Sequence, residues 1–368
     1  MSMESIYKGD VLKLRIYGES HSERIGVDIE GLPSGVVPDM EYTSGFMERR
    51  APGRNAWSTP RKEPDTPVFE QEGEILRAYI VNTNTKPKDY ASIMNRPRPS
   101  HADYTAPMIY GDKASESGGG IFSGRMTAPL CMAGAVCLTE LGKMGISIYA
   151  HIKSIADISD DNYMDHGVNS GEYRDALSKV QYKDFPAVSD SKAASMKEKI
   201  AGARECGDSV GGVIECVIYG LPEGLGGPLF GGIEGKISSL IFAIPACKGI
   251  EFGNGFEGSY LTGSLNNDQF EFDSEGKVRL KTNHSGGILG GISVGDAAPV
   301  VFSCAMKPTP SIAKEQNTVD LKERKNTTIK IEGRHDPCIV PRAVPVVEAA
   351  AAIAIYDMIL SKGGLSHG

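Results

Sequence analysis

The chain has 368 residues, enough to bury a large core in one big domain or two. Hydrophobic content of 40% and charged content of 23% are those of a globular protein, and a net charge of −8 argues against a general nucleic-acid or membrane-surface binder. Glycine is in excess, 44 residues, and clusters in loops, so an anionic ligand would have to be held by loop backbone and by local Arg, His and Lys.

Val11–Tyr17 alternates apolar and polar residues and predicts a strand, closed by the loop Gly18-Glu19-Ser20-His21. Ile25–Glu30 predicts a second strand, ended by the turn Gly31-Leu32-Pro33-Ser34-Gly35. A helix is predicted from about Met40 to Arg50, with Asp39 as N-cap. Glu48–Asn55 and Arg61–Asp65 form a basic, proline-broken segment that reads as a solvated loop. Ala78–Val81 predicts a short strand. Asn95-Arg96-Pro97-Arg98-Pro99-Ser100-His101 is a second basic loop, with a backbone that its prolines stiffen.

Ser117-Gly118-Gly119-Gly120-Ile121-Phe122-Ser123-Gly124-Arg125 then feeds an apolar helix in which Pro129 fits only the first turn. Such a place offers backbone N–H groups and a favourable dipole to an anion. A tight turn that packs a helix is the competing reading. The loop is neither a P-loop nor a G-x-G-x-x-G fingerprint, so it suggests an anionic ligand without naming it.

The Asp- and Tyr-rich stretch of about 154–185 reads as a variable insertion, and Ser189–Ala203 predicts a helix with i,i+4 charge pairs. The earlier pattern then returns: strand Val210–Tyr219, turn Gly220-Leu221-Pro222-Glu223-Gly224, and a helix of about Glu234–Ala243 before Pro245. Asn283-His284-Ser285-Gly286-Gly287-Ile288-Leu289-Gly290-Gly291 is another glycine loop. Lys307-Pro308-Thr309-Pro310-Ser311 is a stiff loop with one cation and two hydroxyls. Arg334-His335-Asp336-Pro337-Cys338 and Arg342 precede an alanine-rich helix, about Pro345 to Leu360, with Pro345 in its first turn. A rigid loop, an arginine and a small-residue helix thus occur twice. Two related halves are expected, about 7–150 and 205–361, with their loops facing one shared site.

Seven cysteines include no C-x-x-C pair and read as buried reduced thiols. No basic, apolar leader and no uninterrupted apolar run of ~18 residues is present, so a cytosolic protein is expected. His21, His101, His284 and His335 all lie in loops bearing Gly, Pro or Arg. A histidine in such a loop is either a structural hydrogen-bonder or an acid able to protonate a leaving phosphate.

Gly18–His21, Arg98–Thr105, Asn283–Gly291 and Arg334–Cys338, in that order, resemble the motifs of the chorismate synthase family, over about residues 7–361. The resemblance implies an α+β fold, a β-α-β sandwich of two pseudo-symmetric halves in a single domain spanning 1–368, usually a homotetramer. It implies a lyase that converts 5-enolpyruvylshikimate 3-phosphate to chorismate and phosphate by 1,4-anti elimination. Reduced FMN is required although no net redox change occurs. An external flavin reductase is expected in the cytoplasm, with NADPH at most an indirect reductant, and no metal, nucleic acid or membrane is expected to take part. By the same resemblance His21 protonates the reduced flavin, His101 serves the leaving phosphate, and Asp336 assists removal of the C6 proton through the flavin. Arg50, Arg54, Arg125 and Arg334 bind the substrate's phosphate and carboxylates. Ile121, Phe122, Ser123, Pro245, Ala246, Gly290, Lys307, Pro308, Thr309, Pro310, Ser311 and Arg334 line the flavin.

The chain departs from the family pattern at three places. Ile121 and Phe122 stand where Arg-Ser is common, Ala56 stands where an arginine is common while Arg54 lies two residues earlier, and Pro245 replaces an amide side chain. A non-catalytic flavin- or phosphate-binding protein of the same fold is the alternative, and the acid–base set His21, His101 and Asp336 argues against it. A serine hydrolase built on Ser20 and His21 is a third reading, and it is disfavoured because adjacent residues rarely align nucleophile and base and no G-x-S-x-G elbow exists.

Overall fold

The computed structural model describes residues 4–20, 22–53, 65–82, 95–111, 119–331 and 335–363. β1 (Ser5–Lys8), β2 (Lys13–Tyr17), β3 (Arg24–Glu30), β4 (Val68–Glu72) and β5 (Ile75–Val81) form an antiparallel sheet in the order β1-β2-β3-β5-β4. Between β3 and β4 lies α1 (Met40–Arg50), and Asp39 caps it by accepting a hydrogen bond from the Tyr42 N–H, as its position predicts. The short α2 (Ala106–Tyr110) and the long α3 (Thr127–Lys143) follow, with Pro129 in the first turn of α3, where a missing N–H is tolerated.

The second sheet begins with β6 (Ser147–Ile155) and β7 (Ile158–Ser159). After α4 (Gly171–Val180) and α5 (Asp190–Glu205) come β8 (Gly212–Tyr219), β9 (Glu223–Gly226), α6 (Ile233–Ile241) and β10 (Cys247–Phe252). An excursion follows: α7 (Gly263–Asn266), the pair β11 (Phe270–Phe272) and β12 (Val278–Leu280), and β13 (Ile288–Leu289) with β14 (Ile292–Val294), which pairs with β9. β15 (Val300–Met306), the hairpin β16 (Gln316–Asp320) and β17 (Lys325–Ile329), and α8 (Val340–Ser361) complete the chain. The second sheet runs β10-β15-β8-β6-β7. Read from β7, its last three positions follow the first sheet's chain order, while the first two, β7 and β6, are exchanged. β6, at the end of the stretch read as the first half, pairs with β8 in this second sheet.

Helices α3 and α8 lie back to back between the sheets, α3 against β3 and β5, α8 against β6 and β8. Small residues allow the approach: a Cβ on Gly134 would stand 2.2 Å from the Ala349 Cβ. The central layer is a single apolar core. α8 is long and apolar enough to cross a membrane, but 94% of its most apolar window is buried inside the protein, as the core helix of a sandwich must be.

Two expectations are corrected. α8 begins at Val340 with Pro341 in its first turn, and Pro345 lies inside the helix. The one backbone bond Pro345 removes is outweighed by burial of nearly every residue after it. The basic segment near Arg50 is not wholly solvated either, since Arg50 is 2% and Asp65 6% exposed. Six of the seven cysteines are buried, all seven are free thiols, and Cys206 is exposed.

Candidate active site

Three loops and a chain of charged side chains make up the candidate site. The first is the glycine loop. Gly119 (φ +135°) and Gly120 (φ +50°) adopt backbone conformations that a side chain would resist. Two successive 3₁₀ turns, Gly120–Phe122 and Gly124–Met126, then lead into α3. Ser123 accepts a hydrogen bond from the Arg125 N–H at 3.3 Å, fixing the second turn. The Ser20 N–H donates to the Gly120 carbonyl at 3.3 Å, which brings the end of the Gly18–Ser20 loop to the same place.

The second loop carries His101. Pro97 and Pro99 stiffen it, and Ser100 takes a positive φ of 59° at the turn before His101. Arg98 grips Asp103 with Nε at 2.6 Å and Nη2 at 2.8 Å. His101 Nδ1 lies 2.6 Å from Asp103 Oδ1. Burial alone would raise the Asp103 carboxyl, but hydrogen bonds from Arg98 and His101 hold it well below the usual carboxylate range. The ring edge of His101 faces the glycine loop, with Cε1 3.8 Å from where a Cβ on Gly119 would stand.

The third loop is Lys307–Ser311. Arg98 Nη1 donates to the buried Ser311 hydroxyl at 3.0 Å, and Lys307 Nζ donates to the Ser100 carbonyl. The Lys307 N–H donates to the Ala246 carbonyl at 3.0 Å, and Ala246 holds a φ of +74° that an L side chain rarely adopts. Partial burial and the neighbouring Lys248 lower the Lys307 pKa from its usual value. Thr309 Oγ1 is buried and has no hydrogen-bond partner among the described residues.

The fourth group is a chain of charges through the sandwich. Arg342 pairs with Asp336 and donates Nε to the Arg50 carbonyl at 2.9 Å. Arg50 donates Nε to Thr127 Oγ1 at 3.1 Å, while Arg50 and Arg125 each take one oxygen of Asp65. Arg125 Nη2 also donates to Asn82 Oδ1 at 3.0 Å. Burial lowers the Arg50 pKa to about 10 against the opposing pull of Asp65, so the group stays charged at neutral pH. Among the described residues this chain of contacts holds three guanidiniums and two carboxylates.

The structure thus ties His101, Ser123, Arg125, Ala246, Lys307 and Ser311 to one region and reaches Asp336 through Arg342 and Arg50. Ile121 packs against the core, and the Phe122 ring lies 6.0 Å from that of Tyr110. Gly290 forms the β13–β14 turn, where the next residue, Gly291, packs on Gly227 and Gly232. His21, Arg54 and Arg334 lie outside the described residues. Sequence reading passed over Asp65, Asn82 and Asp103. Asp103 had a signal, a carboxylate two residues after a loop histidine.

The family model for chorismate synthase matches residues 12–360.

The chain belongs to the chorismate synthase family.

It is 40% identical over 374 residues to the chorismate synthase of Lancefieldella parvula, covering 98% of this chain and 97% of that one. It is 42% identical over 360 residues to the chorismate synthase of Lachnoclostridium phytofermentans, covering 96% and 94%. A crystal structure of chorismate synthase superposes with a TM-score of 0.74 at 24% identity, over 97% of this chain and 94% of the other, which shows the shared fold. The expected α+β sandwich is the family's architecture, and membership places the chain among lyases of the shikimate pathway.

Proposed function

We propose that the chain converts 5-enolpyruvylshikimate 3-phosphate to chorismate and phosphate by 1,4-anti elimination with reduced FMN. The observation that carries this reading is His101, held by Asp103 and set against the glycine loop that leads to Arg125. A trianionic substrate calls for several guanidiniums, and Asp65 holds those of Arg50 and Arg125 in fixed positions. Arg54 and Arg334 are assigned to the same ligand by family resemblance. His101 is the acid: its Nε2 proton passes to the phosphate oxygen as the carbon–oxygen bond breaks. Asp336, paired with Arg342, assists removal of the C6 proton, and His21 is kept as the second acid.

Reduced FMN, when bound, lends electron density to the substrate and takes it back. The residues present fit such a group. Thr309 offers an unengaged buried hydroxyl, Ala246 a strained backbone, and Lys307 a cation for a phosphate or ring oxygen. Ile121, Phe122, Ser123, Pro245, Gly290, Pro308, Pro310, Ser311 and Arg334 complete the assignment.

The two halves are read as related, because the order β3-β5-β4 in one sheet is matched by β8-β15-β10 in the other and a long helix closes each. By its sheet the second half takes in β6 as well as about 205–361. A homotetramer is supported by Leu229, Phe230, Phe256 and Tyr260, all large, apolar and strongly exposed. We place the protein in the cytoplasm, with flavin reduced by an external reductase and NADPH serving only indirectly.

The deciding assay is anaerobic incubation with reduced FMN and 5-enolpyruvylshikimate 3-phosphate. Phosphate release is expected, and its absence would overturn the reading. His101→Ala should still bind flavin while turning over poorly. NADPH-driven turnover in air, with no reductase added, would show that the chain reduces its own flavin.

A further inference from the structure

We propose that Arg342 is a positioning residue for the removal of the C6 proton: it holds the Asp336 carboxylate at a set place against the end of α1, beside Arg50. This rests on the reading of Asp336 as the group that assists that removal.

The backbone after Asp336 is fixed first. Pro337 restricts its own φ, its carbonyl accepts from the Val210 N–H at 2.9 Å, and Cys338 behind it is buried. What remains to be set is the direction of the Asp336 side chain. Arg342 stands in the first turn of α8, just after Pro341, and its Nη1 donates to Asp336 Oδ2. Nε of the same guanidinium donates to the Arg50 carbonyl at 2.9 Å. Arg50 ends α1, where the last carbonyls have no partner within the helix and a cation meets the negative end of the dipole. Both bonds leave one rigid plane, so the guanidinium fixes the distance between the Asp336 carboxylate and the end of α1. The Arg50 side chain runs on to Thr127 and Asp65, so the carboxylate and a guanidinium assigned to the substrate share one frame. The Asp336 side chain is 11% exposed and that of Arg342 21%, so this is not a surface pair that water readily exchanges. The other central helix has a similar device: Arg125, at the entry to α3, holds Asp65 and Asn82.

In the elimination the C6–H electron pair forms a new ring double bond, the existing one shifts, and the carbon–oxygen pair leaves with the phosphate. The proton ends on the Asp336 carboxylate, which passes it to water before the next turnover. Arg342 is a donor that does not give up its proton, so it takes no part in the transfer itself. It grips one oxygen of the carboxylate and keeps the group at a constant reach, and proton transfer depends steeply on that geometry.

The test uses the full chain with reduced FMN, without oxygen, and substrate carrying hydrogen or deuterium at C6. In Arg342→Gln, kcat should fall about 10²-fold with KM changed less than about threefold, the cost of a reacting group about 1 Å out of place. The deuterium isotope effect on kcat should be fully expressed in this variant, because removal of the C6 proton becomes the slow step. A loss of active protein alone would leave the wild-type value. Arg342→Lys, which keeps the charge and loses the plane, should recover part of kcat. Combined with Asp336→Asn, Arg342→Gln should add no further loss. Crystals of the flavin-free Arg342→Gln protein should show the Asp336 carboxylate turned from its place beside the Arg50 carbonyl. Should Arg342→Gln not fold, Arg342→Lys carries the isotope and crystallographic measurements. An unchanged kcat, an isotope effect near one in the variant, losses that multiply in the double variant, or an unmoved carboxylate overturns the proposal. Normal turnover by Asp336→Asn alone would instead sink the assignment of Asp336, and the crystals would still report on the ion pair.

Discussion

Asp65 illustrates how much one side chain carries. It is almost wholly buried, and each of its oxygens meets a buried guanidinium, Arg50 on one side and Arg125 on the other. Replacing it with alanine would leave two desolvated cations facing each other. The loss should be about 3–5 kcal/mol, the range for breaking a buried pair by removing one partner. Urea denaturation of Asp65→Ala checks it, and a loss under about 1 kcal/mol would show that the arginines are held by other contacts. The sequence held half of this story. Thr43, Phe46, Met47 and Arg50 fall at helical spacing, and all four are buried on one face of α1. That spacing marks Arg50 as inward-facing, whereas the surrounding basic run suggests a solvated loop. Asp65 has no such marker, because its partners, Arg50 and Arg125, are brought to it only by the fold. Asp103 lies in a motif two residues from His101, but its grip on the ring shows only in the fold.

At the scale of elements, the helix pair α3–α8 sets the thickness of the sandwich. Gly134→Ala should raise intrinsic helix propensity by up to about 1 kcal/mol. The new methyl, however, would sit 2.2 Å from the Ala349 Cβ and 2.5 Å from its Cα, neither of which can rotate away. Overpacking wins, and a net loss of about 1–3 kcal/mol is expected. Gly142, in the same helix, has nothing within 4 Å of such a Cβ, so Gly142→Ala should be neutral or slightly stabilising. Thermal melts of the two variants make the comparison, and equal shifts would refute the contact argument. Two buried acids on α8 show why that helix tolerates charge. Glu348 takes a forked bond from Arg49 at 2.6 and 2.9 Å and the Ala150 N–H at 3.0 Å. Asp357 accepts the backbone N–H groups of Asp10, Val11 and Leu12. Strand and helix positions were readable because periodicity is local. The order β1-β2-β3-β5-β4 was not, since β3 finds β5 across more than forty intervening residues, and the start of α8 was hidden by Pro345.

For the whole molecule, contacts between the two sides of the sandwich build the site: Arg98 with Ser311, Arg342 with the Arg50 carbonyl, Arg49 with Glu348. Integrity of the second sheet is therefore a condition of activity, and one buried cluster makes it pH-dependent. His151 on β6 is fully buried between Glu215 Oε1 at 3.2 Å and Asp160 Oδ2 at 3.5 Å, with the Tyr173 hydroxyl at 3.2 Å. Burial alone would lower its pKa, but hydrogen bonds and charge from Asp160 and Glu215 overcome that and raise it to about 9. The unfolded value is ~6.5, so the cluster's contribution is fully present below that pH and is lost as pH rises through about 9. Glu215 works in the opposite sense: held below its usual value by His151 against its burial, it contributes above the unfolded carboxyl range and loses that on acidification. Urea unfolding at pH 6 and pH 9.5 should therefore show a stability drop of up to roughly 3 kcal/mol in the wild type. In His151→Gln that pH dependence should largely vanish, because glutamine does not titrate. The same drop in both proteins would place the pH-sensitive group elsewhere.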